Sequence, residues 1–568
     1  MAIDITVTIG GAAGQGIQTV GDLLAGACHR SGLYLMVVND FESRIRGGHS
    51  FMQIRISDHP VAAPYHRVHL LVALNGETYE RHRSSMDTSG VILLDQEEAG
   101  SETNAFAVPF TRLAKDAGGK IMANTVAAGA CLGLLGAPLS VVEEVLKGRF
   151  GEKPTVFENN LNAARKGYDA VKDEAVDWRI DWPDKASRGQ LLSGARVLAL
   201  GALAADCRLA AFYPMSPSTG IMINLAEFID KTPLVVEQAE DEIAAVNMVV
   251  GASFAGLRAL TATSGGGFSL MTEGLGLAAI TETPIVIINA QRPGPATGLP
   301  TRTAQGDLQF VIHASQDEFP RFVIAPRSVN QAFEAMIRAF DLAEKYQVPV
   351  IIMVDQYFND SLFIATEELR VPEQIERFLT TDADMDAPSA YKRFALNESG
   401  VSPRAMPCKG RARVTVTANE HGEDGHISEA IADRNRMVNK RMAKTNSMRD
   451  EMHPPDPYFG ESETLLVGWG SSDGAIREAV DRLRNENFDV GALVFSDLWP
   501  FPDAAVYEAL SKCNRFFTVE LNASSQLGWL IREQTGLSFG GSVVKYDGRP
   551  LVPNDVADQV KEIMGSSI

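Results

Sequence analysis

Three successive α/β blocks are predicted for this 568-residue chain. Two observations carry that prediction. Short apolar runs of strand length alternate with stretches of helical periodicity, and Gly- or Pro-rich loops stand where the runs give way to helices. Apolar residues at 45% and charged residues at 22% supply ordinary material for sizeable cores, and the length suits roughly three or four domains. Strands that are each followed by a helix favour largely parallel sheets, whose ligands gather at the strand carboxyl ends.

Taken in order, the first block spans residues 1–178. It opens with the strand "ITVTIGG", turns through glycines into a helix reaching Cys28, and returns along "LYLMVV" (Leu33–Val38). "HLLVAL" (His69–Leu74) and "VILLD" (Val91–Asp95) read as further buried strands. A polar linker is expected over 179–193. The second block, 194–365, contains "RLAAF" (Arg208–Phe212), "LTATSGGGF" (Leu260–Phe268), "PIVIINAQRPGPATGLP" (Pro284–Pro300) and "PVIIMVD" (Pro349–Asp355). An irregular, charged connecting segment follows over 366–458, and a third α/β block over 459–568. No short-period repeat or low-complexity tract interrupts this order.

Composition narrows the function. A net charge of −20 argues against a nucleic-acid surface, which needs a basic face. The first residues lack the basic-then-apolar layout of a signal peptide, and no apolar run approaches membrane-spanning length. The five cysteines (Cys28, Cys131, Cys207, Cys408, Cys513) lie far apart, and the ten histidines show no ligand spacing. Zinc and iron–sulfur sites usually declare themselves by close pairs, so the chain is expected to hold no metal and to work in the reducing cytoplasm.

Several loops could carry chemistry. "IGGAAGQGIQ" (Ile9–Gln18) lies between a strand and a helix, where backbone N–H groups can hold a phosphate. Its glycines (Gly11, Gly14, Gly16) fall off the G-x-G-x-x-G pattern, although Asp40 ends the next strand roughly where a ribose-binding acid would sit. A nicotinamide site and a plain tight turn both stand at this stage. "FESRIRGGHS" (Phe41–Ser50) packs Arg44 and Arg46 beside a Gly-Gly, which suits an anion with several phosphates or a solvated loop. "YPMSPSTGI" (from Tyr213) sets Ser216, Ser218 and Thr219 behind Pro214 and Pro217, and a hydroxyl there can cap the following helix. "EQAEDEIAAV" places Asp241 and Glu242 at a helix start, where an acidic first turn is favoured by the dipole. Periodicity does not choose between the two as the carboxyl turned toward an apolar face. Arg292, at the root of a Pro/Gly-dense loop, could fork onto a carboxylate or stand bare at the surface.

The order "YPMSPST", "EDEIAAVNMVVGAS", "TSGGGFSLM", "QRPGPATGLPT" resembles the α subunit of thiamine-diphosphate-dependent 2-oxoacid:ferredoxin oxidoreductases. The first block resembles the family's γ subunit through "GGAAGQGI" and "ESRIRGGHS", here fused ahead of α. The third resembles its transketolase-C-terminal-like domain through "FSDLWPFP" (Phe495–Pro502) and "VELNASSQLGWLIR" (Val519–Arg532). "NEHGEDGH" and "RMVNKRMAK" are similar to the fused 2-oxoglutarate branch.

That resemblance implies a pyrimidine-type thiamine diphosphate domain over 194–365. It implies Glu242 as the cofactor-activating glutamate, which would hydrogen-bond the aminopyrimidine ring nitrogen and promote loss of the thiazolium proton. Arg292 would hold the oxoacid head with Ser216, at a family position often occupied by threonine, and with Thr219. Pro214 and Ser264 would line the cofactor. Gly11, Gly14, Gly16, Arg44 and Arg46 become candidates for coenzyme A. A separate β subunit is implied for the magnesium, the diphosphate grip and the iron–sulfur cluster, with ferredoxin as electron acceptor and a dimer of αβ pairs as the assembly. The reaction expected is oxidative decarboxylation of 2-oxoglutarate to succinyl-CoA, or its reverse. Pyruvate or a branched-chain oxoacid is the next substrate, and a non-catalytic coenzyme A- or nucleotide-binding module is the rival class.

Overall fold

The computed structural model describes residues 3–43, 48–97, 105–183, 186–385 and 387–565. They divide into two compact units, 1–192 with 361–368 and 193–360 with 369–568. The chain opens with β1 (Asp4–Ala12), then β2 (Tyr34–Asp40), β3 (His49–Ser57), β4 (Val68–Ala73), β5 (Met86–Asp95), β6 (Ala105–Val108) and β7 (Gln190–Ser193). Next come β8 (Cys207–Phe212), β9 (Val235–Gln238), β10 (Arg258–Thr263), β11 (Ile285–Gln291), β12 (Phe322–Ile324) and β13 (Pro349–Asp355). β14 (Leu362–Ala365) then rejoins the first sheet, whose order is β6-β5-β4-β1-β3-β2-β14-β7.

β3 is the strand that the sequence reading missed, because its start was absorbed into the basic Gly-rich loop. It runs antiparallel to both β1 and β2 and separates them. A dinucleotide fold needs those two strands adjacent and parallel, so the nicotinamide reading of Gly11–Gly16 with Asp40 is corrected here. The stretch read as a polar linker is tied to this unit by indoles at and just before its start: Trp178 Nε1 donates to the Ser89 carbonyl at 3.1 Å and Trp182 Nε1, within it, to that of Leu135 at 2.9 Å. Helices Ala123–Leu135 and Pro154–Asp169 meet backbone to backbone. A Cβ on Gly129 would stand 2.1 Å from the Ala164 oxygen, and one on Gly167 2.0 Å from the Val126 oxygen.

In the second unit, seven strands follow the order β18-β12-β13-β11-β10-β8-β9, in which β18 is the later strand Asp497–Trp499. β8 to β13 are parallel throughout, and their central members are buried on both faces, as near-continuous apolar runs require. The third block adds β15 (Asp456–Tyr458), β16 (Thr464–Trp469), β17 (Val490–Phe495), β18 (Asp497–Trp499), β19 (Arg515–Glu520) and β20 (Gly541–Val544). Five of these form a sheet in the order β15-β17-β16-β19-β20, while β18 crosses over to pair with β12. One core cluster, containing Val323, Ile351, Leu465, Val467 and Phe495, serves both blocks.

The span expected to be irregular ends in a 20-residue helix, Ile431–Asp450. Its buried face carries Lys440, Arg441 and Lys444 between Met437 and Met448. Lys440 and Lys444 Nζ lie 2.7 and 2.6 Å from the buried Glu282 carboxylate, and Arg441 forks onto Glu420. A second hub, Glu344, is surrounded by Arg258, Arg377 and Arg404. The surrounding cations hold both carboxyls below the ordinary carboxylate range against the opposing effect of burial. Paired in this way, buried charges are tolerated; removing one partner leaves the other uncompensated, at a cost of about 3–5 kcal/mol.

Candidate active site

Every loop singled out in the second block lies at the carboxyl end of the seven-stranded sheet. β8 runs into Tyr213–Ser218, β9 into Asp241 and Glu242, β10 into Ser264, and β11 into Arg292. Helices Thr219–Ala226, Glu242–Phe254 and Gly265–Ile280 start from three of these ends.

The choice between Asp241 and Glu242 is resolved by geometry. Asp241 sits in extended N-cap conformation and spends its carboxylate on the Ala244 N–H at 2.7 Å. Glu242 turns inward and is 2% exposed, and its Oε1 has no hydrogen-bond partner among the described residues. An unmet buried acceptor costs about 1–3 kcal/mol, so the site is shaped for a ligand group that supplies the missing bond. The side chain rests on Gly267, where a Cβ would stand 2.4 Å from Glu242 Oε1 and 2.0 Å from Thr263 Oγ1. Glycine is required here for close approach, not for an unusual backbone.

Around that carboxyl the buried polar atoms Thr263 Oγ1, Ser264 Oγ and Asn289 Oδ1 also lack partners among the described residues. Thr263 and Asn289 are register partners on β10 and β11. Orphan acceptors and hydroxyls on a floor of glycines fit the edge of a polar aromatic ring such as an aminopyrimidine. Thr263, Gly267 and Asn289 were not singled out from sequence. The legible signal was Asn289, a lone amide inside the otherwise apolar "PIVIIN" run.

Arg292 joins two of the loops. Its Nη1 donates to the Ser216 carbonyl at 2.7 Å, leaving the remainder of the fork for another acceptor. Burial pushes the guanidinium below its ordinary value while the negative charge of Glu242 works in the opposite direction, so the two residues share one electrostatic site. Ser216 is exposed, Pro214 and Thr219 are half-buried, and Thr219 is the first residue of its helix. The capping expectation for this loop is corrected. Ser218 occupies the N-cap position, but its hydroxyl donates to the Met215 carbonyl at 2.7 Å and makes no cap bond.

The loop after β11 is gripped from the third block. Gln305 exchanges hydrogen bonds with Leu521, its side chain donates to the Trp469 carbonyl at 2.8 Å, and Asn522 donates to the Gln305 carbonyl. Asp355, buried at the end of β13, accepts from Ser471 and from the Phe358 N–H, and burial pushes its carboxyl up to about 6.

In the first unit, Gly14 (φ 88°) and Gly16 (φ 83°) occupy left-handed backbone that favours glycine. A Cβ on Gly16 would stand 1.8 Å from Asn124 Nδ2. Gly11 faces Gln15, whose side chain accepts from the Ala12 N–H at 2.6 Å. Arg44 and Arg46 lie outside the described residues. No helix among those described is long and apolar enough to cross a membrane.

Residues 200–440 match the family described as "Pyruvate flavodoxin/ferredoxin oxidoreductase, thiamine diP-bdg". Residues 6–170 match "Pyruvate ferredoxin/flavodoxin oxidoreductase", and residues 462–552 match "Pyruvate:ferredoxin oxidoreductase core domain II". A 2-oxoacid:ferredoxin oxidoreductase subunit alpha from Sulfolobus sp is 32% identical over 98% of this chain and 96% of its own. The 2-oxoglutarate synthase subunit KorA of Methanothermobacter thermautotrophicus is 31% identical over 65% of this chain and 97% of its own. The solved 2-oxoglutarate:ferredoxin oxidoreductase from Magnetococcus marinus, with 2-oxoglutarate, coenzyme A and succinyl-CoA bound, superposes with a TM-score of 0.92 at 31% identity, covering 99% of this chain and 100% of that one. A thiamine diphosphate-binding match over residues 200–440, family matches on either side of it and near-complete alignment with an α subunit together place this chain in the family of 2-oxoacid:ferredoxin oxidoreductase α subunits.

Proposed function

We propose that this α subunit handles 2-oxoglutarate, with coenzyme A as acyl acceptor, and that Glu242 and Arg292 are its principal catalytic groups. The substrate assignment is supported by the names of the relatives and by the ligands of the Magnetococcus marinus enzyme. The residue assignment rests on the unpartnered Glu242 Oε1. When bound, thiamine diphosphate supplies the nucleophilic carbon and the electron sink for decarboxylation. Glu242 would accept a hydrogen bond from, or share a proton with, a ring nitrogen set against its Oε1. Ser264 and Pro214 would line that ring. Arg292, fixed by the Ser216 carbonyl, presents its free N–H groups to the oxoacid carboxylate as a planar fork. The Ser216 hydroxyl and Thr219 flank the same pocket. In the first unit the Gly11–Gly16 turn, with Arg44 and Arg46, is assigned to coenzyme A.

We assign magnesium, the diphosphate grip and the iron–sulfur cluster to a β subunit, with ferredoxin as the electron acceptor and a dimer of αβ pairs as the assembly. The exposed side of helix Glu242–Phe254, away from the buried stripe that carries Glu242, supports a partner there. Ile243 is 49% exposed and Met248 41%, and the helix has no charged residue after Glu242 itself. The test is anaerobic co-expression with the β subunit, followed by a panel of oxoacids with a viologen acceptor. The highest kcat/KM is expected for 2-oxoglutarate, and the chain alone should reduce no viologen and hold no stoichiometric iron. A preference for pyruvate, or activity of the lone chain, would overturn the corresponding part.

A further inference from the structure

Helix Gly265–Ile280 begins in an unusual way. Its N-cap residue, Ser264, has the extended backbone (φ −102°, ψ 176°) from which a serine ordinarily folds its hydroxyl onto the N–H groups of the first turn, yet it makes no such bond. The hydroxyl is fully buried and has no partner among the described residues. Asp307 shows the complementary anomaly. It occupies the N-cap position of helix Leu308–His313 but does not cap that helix with its side chain. Its carboxylate lies instead against Gly265, where a Cβ would stand 2.3 Å from Oδ2. There it accepts from Asn289 Nδ2 at 3.1 Å, while the Asp307 N–H is held by Gln291 Oε1 at 3.1 Å.

We propose that Asp307 is a positioning residue whose carboxylate, set against Gly265, takes the place of the Ser264 cap hydroxyl at the N-terminus of helix Gly265–Ile280, which releases that hydroxyl to the cofactor. A carboxylate at the positive end of a helix meets the same electrostatic demand as a cap hydroxyl. The helix start it secures contains Gly267, the surface on which Glu242 rests. Asp307 is contributed by the loop that begins at Arg292, so the substrate arginine and the floor of the glutamate are built on one segment. Burial raises the Asp307 carboxyl, with the Asn289 amide opposing.

The inference rests on the assignment of Ser264 to the cofactor, and the test separates the two. The reconstituted αβ complex, freed of cofactor, is titrated with thiamine diphosphate and magnesium, following protein fluorescence, for wild type, Ser264→Ala, Asp307→Asn and the double variant. Ser264→Ala should weaken cofactor binding about fivefold, the loss of one neutral hydrogen bond. Asp307→Asn keeps the shape, lets Ser264 rotate back into its cap, and should weaken binding by a similar factor. Its KM for the oxoacid should stay within about twofold, because the Arg292 fork is untouched. The double variant should be no weaker than either single, the non-additivity of one shared interaction. Independent, multiplying losses would overturn the role of Asp307 and leave Ser264 in the cofactor site. No effect of Ser264→Ala in wild type would remove Ser264 from that site and overturn the inference with it.

Discussion

Gly267→Ala isolates the positioning of Glu242 from its chemistry. The backbone at 267 is ordinary helix, so alanine is conformationally acceptable and contributes up to about 1 kcal/mol of helix propensity over glycine. The added methyl, however, would stand 2.4 Å from Glu242 Oε1 and 2.0 Å from Thr263 Oγ1. Ordinary contact begins at 3.4 Å, so the glutamate must retreat by about 1 Å. Overpacking of this size costs about 1–3 kcal/mol, which the propensity gain partly offsets. The net loss of stability should be about 0–2 kcal/mol, a Tm decrease of no more than about 5 °C. Activity should fall far more, about 100-fold in kcat, because a misplacement near 1 Å forfeits that much at a reacting centre. The assay is oxoacid-dependent viologen reduction by the reconstituted complex, alongside thermal melting of the isolated chain. Gly251→Ala is the control for propensity in the melt of the isolated chain: it lies in the same helix as Glu242 and meets nothing within 4 Å. A folded Gly267→Ala enzyme with turnover within threefold of wild type would refute the claim that Glu242 acts from this position.

Glu242→Gln should leave the melting temperature nearly unchanged and cut turnover at least about 100-fold, whereas Asp241→Asn retains the cap acceptor and should lose less than about threefold; equal losses in a steady-state comparison would sink the assignment. Arg292→Lys keeps the charge but not the fork, so kcat/KM for the oxoacid should drop about 10- to 100-fold, and unchanged kinetics would remove the residue from the substrate site. For Asp355, the folded carboxyl sits near 6, above its unfolded value. Its contribution to stability is therefore present below about pH 4 and is lost as pH rises through 6. Asp355→Asn should accordingly raise stability at pH 7.5 by about 1–3 kcal/mol, with the advantage vanishing below pH 4; a pH-independent difference in melting temperature would contradict this.

The α/β blocks and their loops were legible because buried parallel strands announce themselves as apolar runs that end in Gly and Pro. Periodicity left Glu242 and Arg292 among several candidates and only the family resemblance selected them; the geometry adds which carboxyl caps its helix and which lies unpartnered. Helix Ile431–Asp450 was invisible to periodicity for a physical reason. Its inward face is built from lysine and arginine stems that reach Glu282 and Glu420, so hydropathy reads it as solvated. β3 was hidden by the glycines that precede it. Asp307 could not have been found from sequence, since its meaning depends on a helix that begins 42 positions earlier in the chain.

The return of β14 to the first sheet bears on how this fused polypeptide could be taken apart. Leu362 pairs with Val37, and residues 361–368 belong to the same compact unit as residues 1–192. Proteolysis or gene splitting within 179–193 would cut the covalent join where the two halves resemble separate subunits, yet it would not free the first unit. The eight-residue segment would remain on the other fragment as a donor strand, completing the sheet in trans. A separately expressed 1–192 fragment would present β2 with an unfilled edge, the kind of edge that recruits foreign strands. Supplying a peptide that spans 361–368 is the natural way to keep such a fragment soluble.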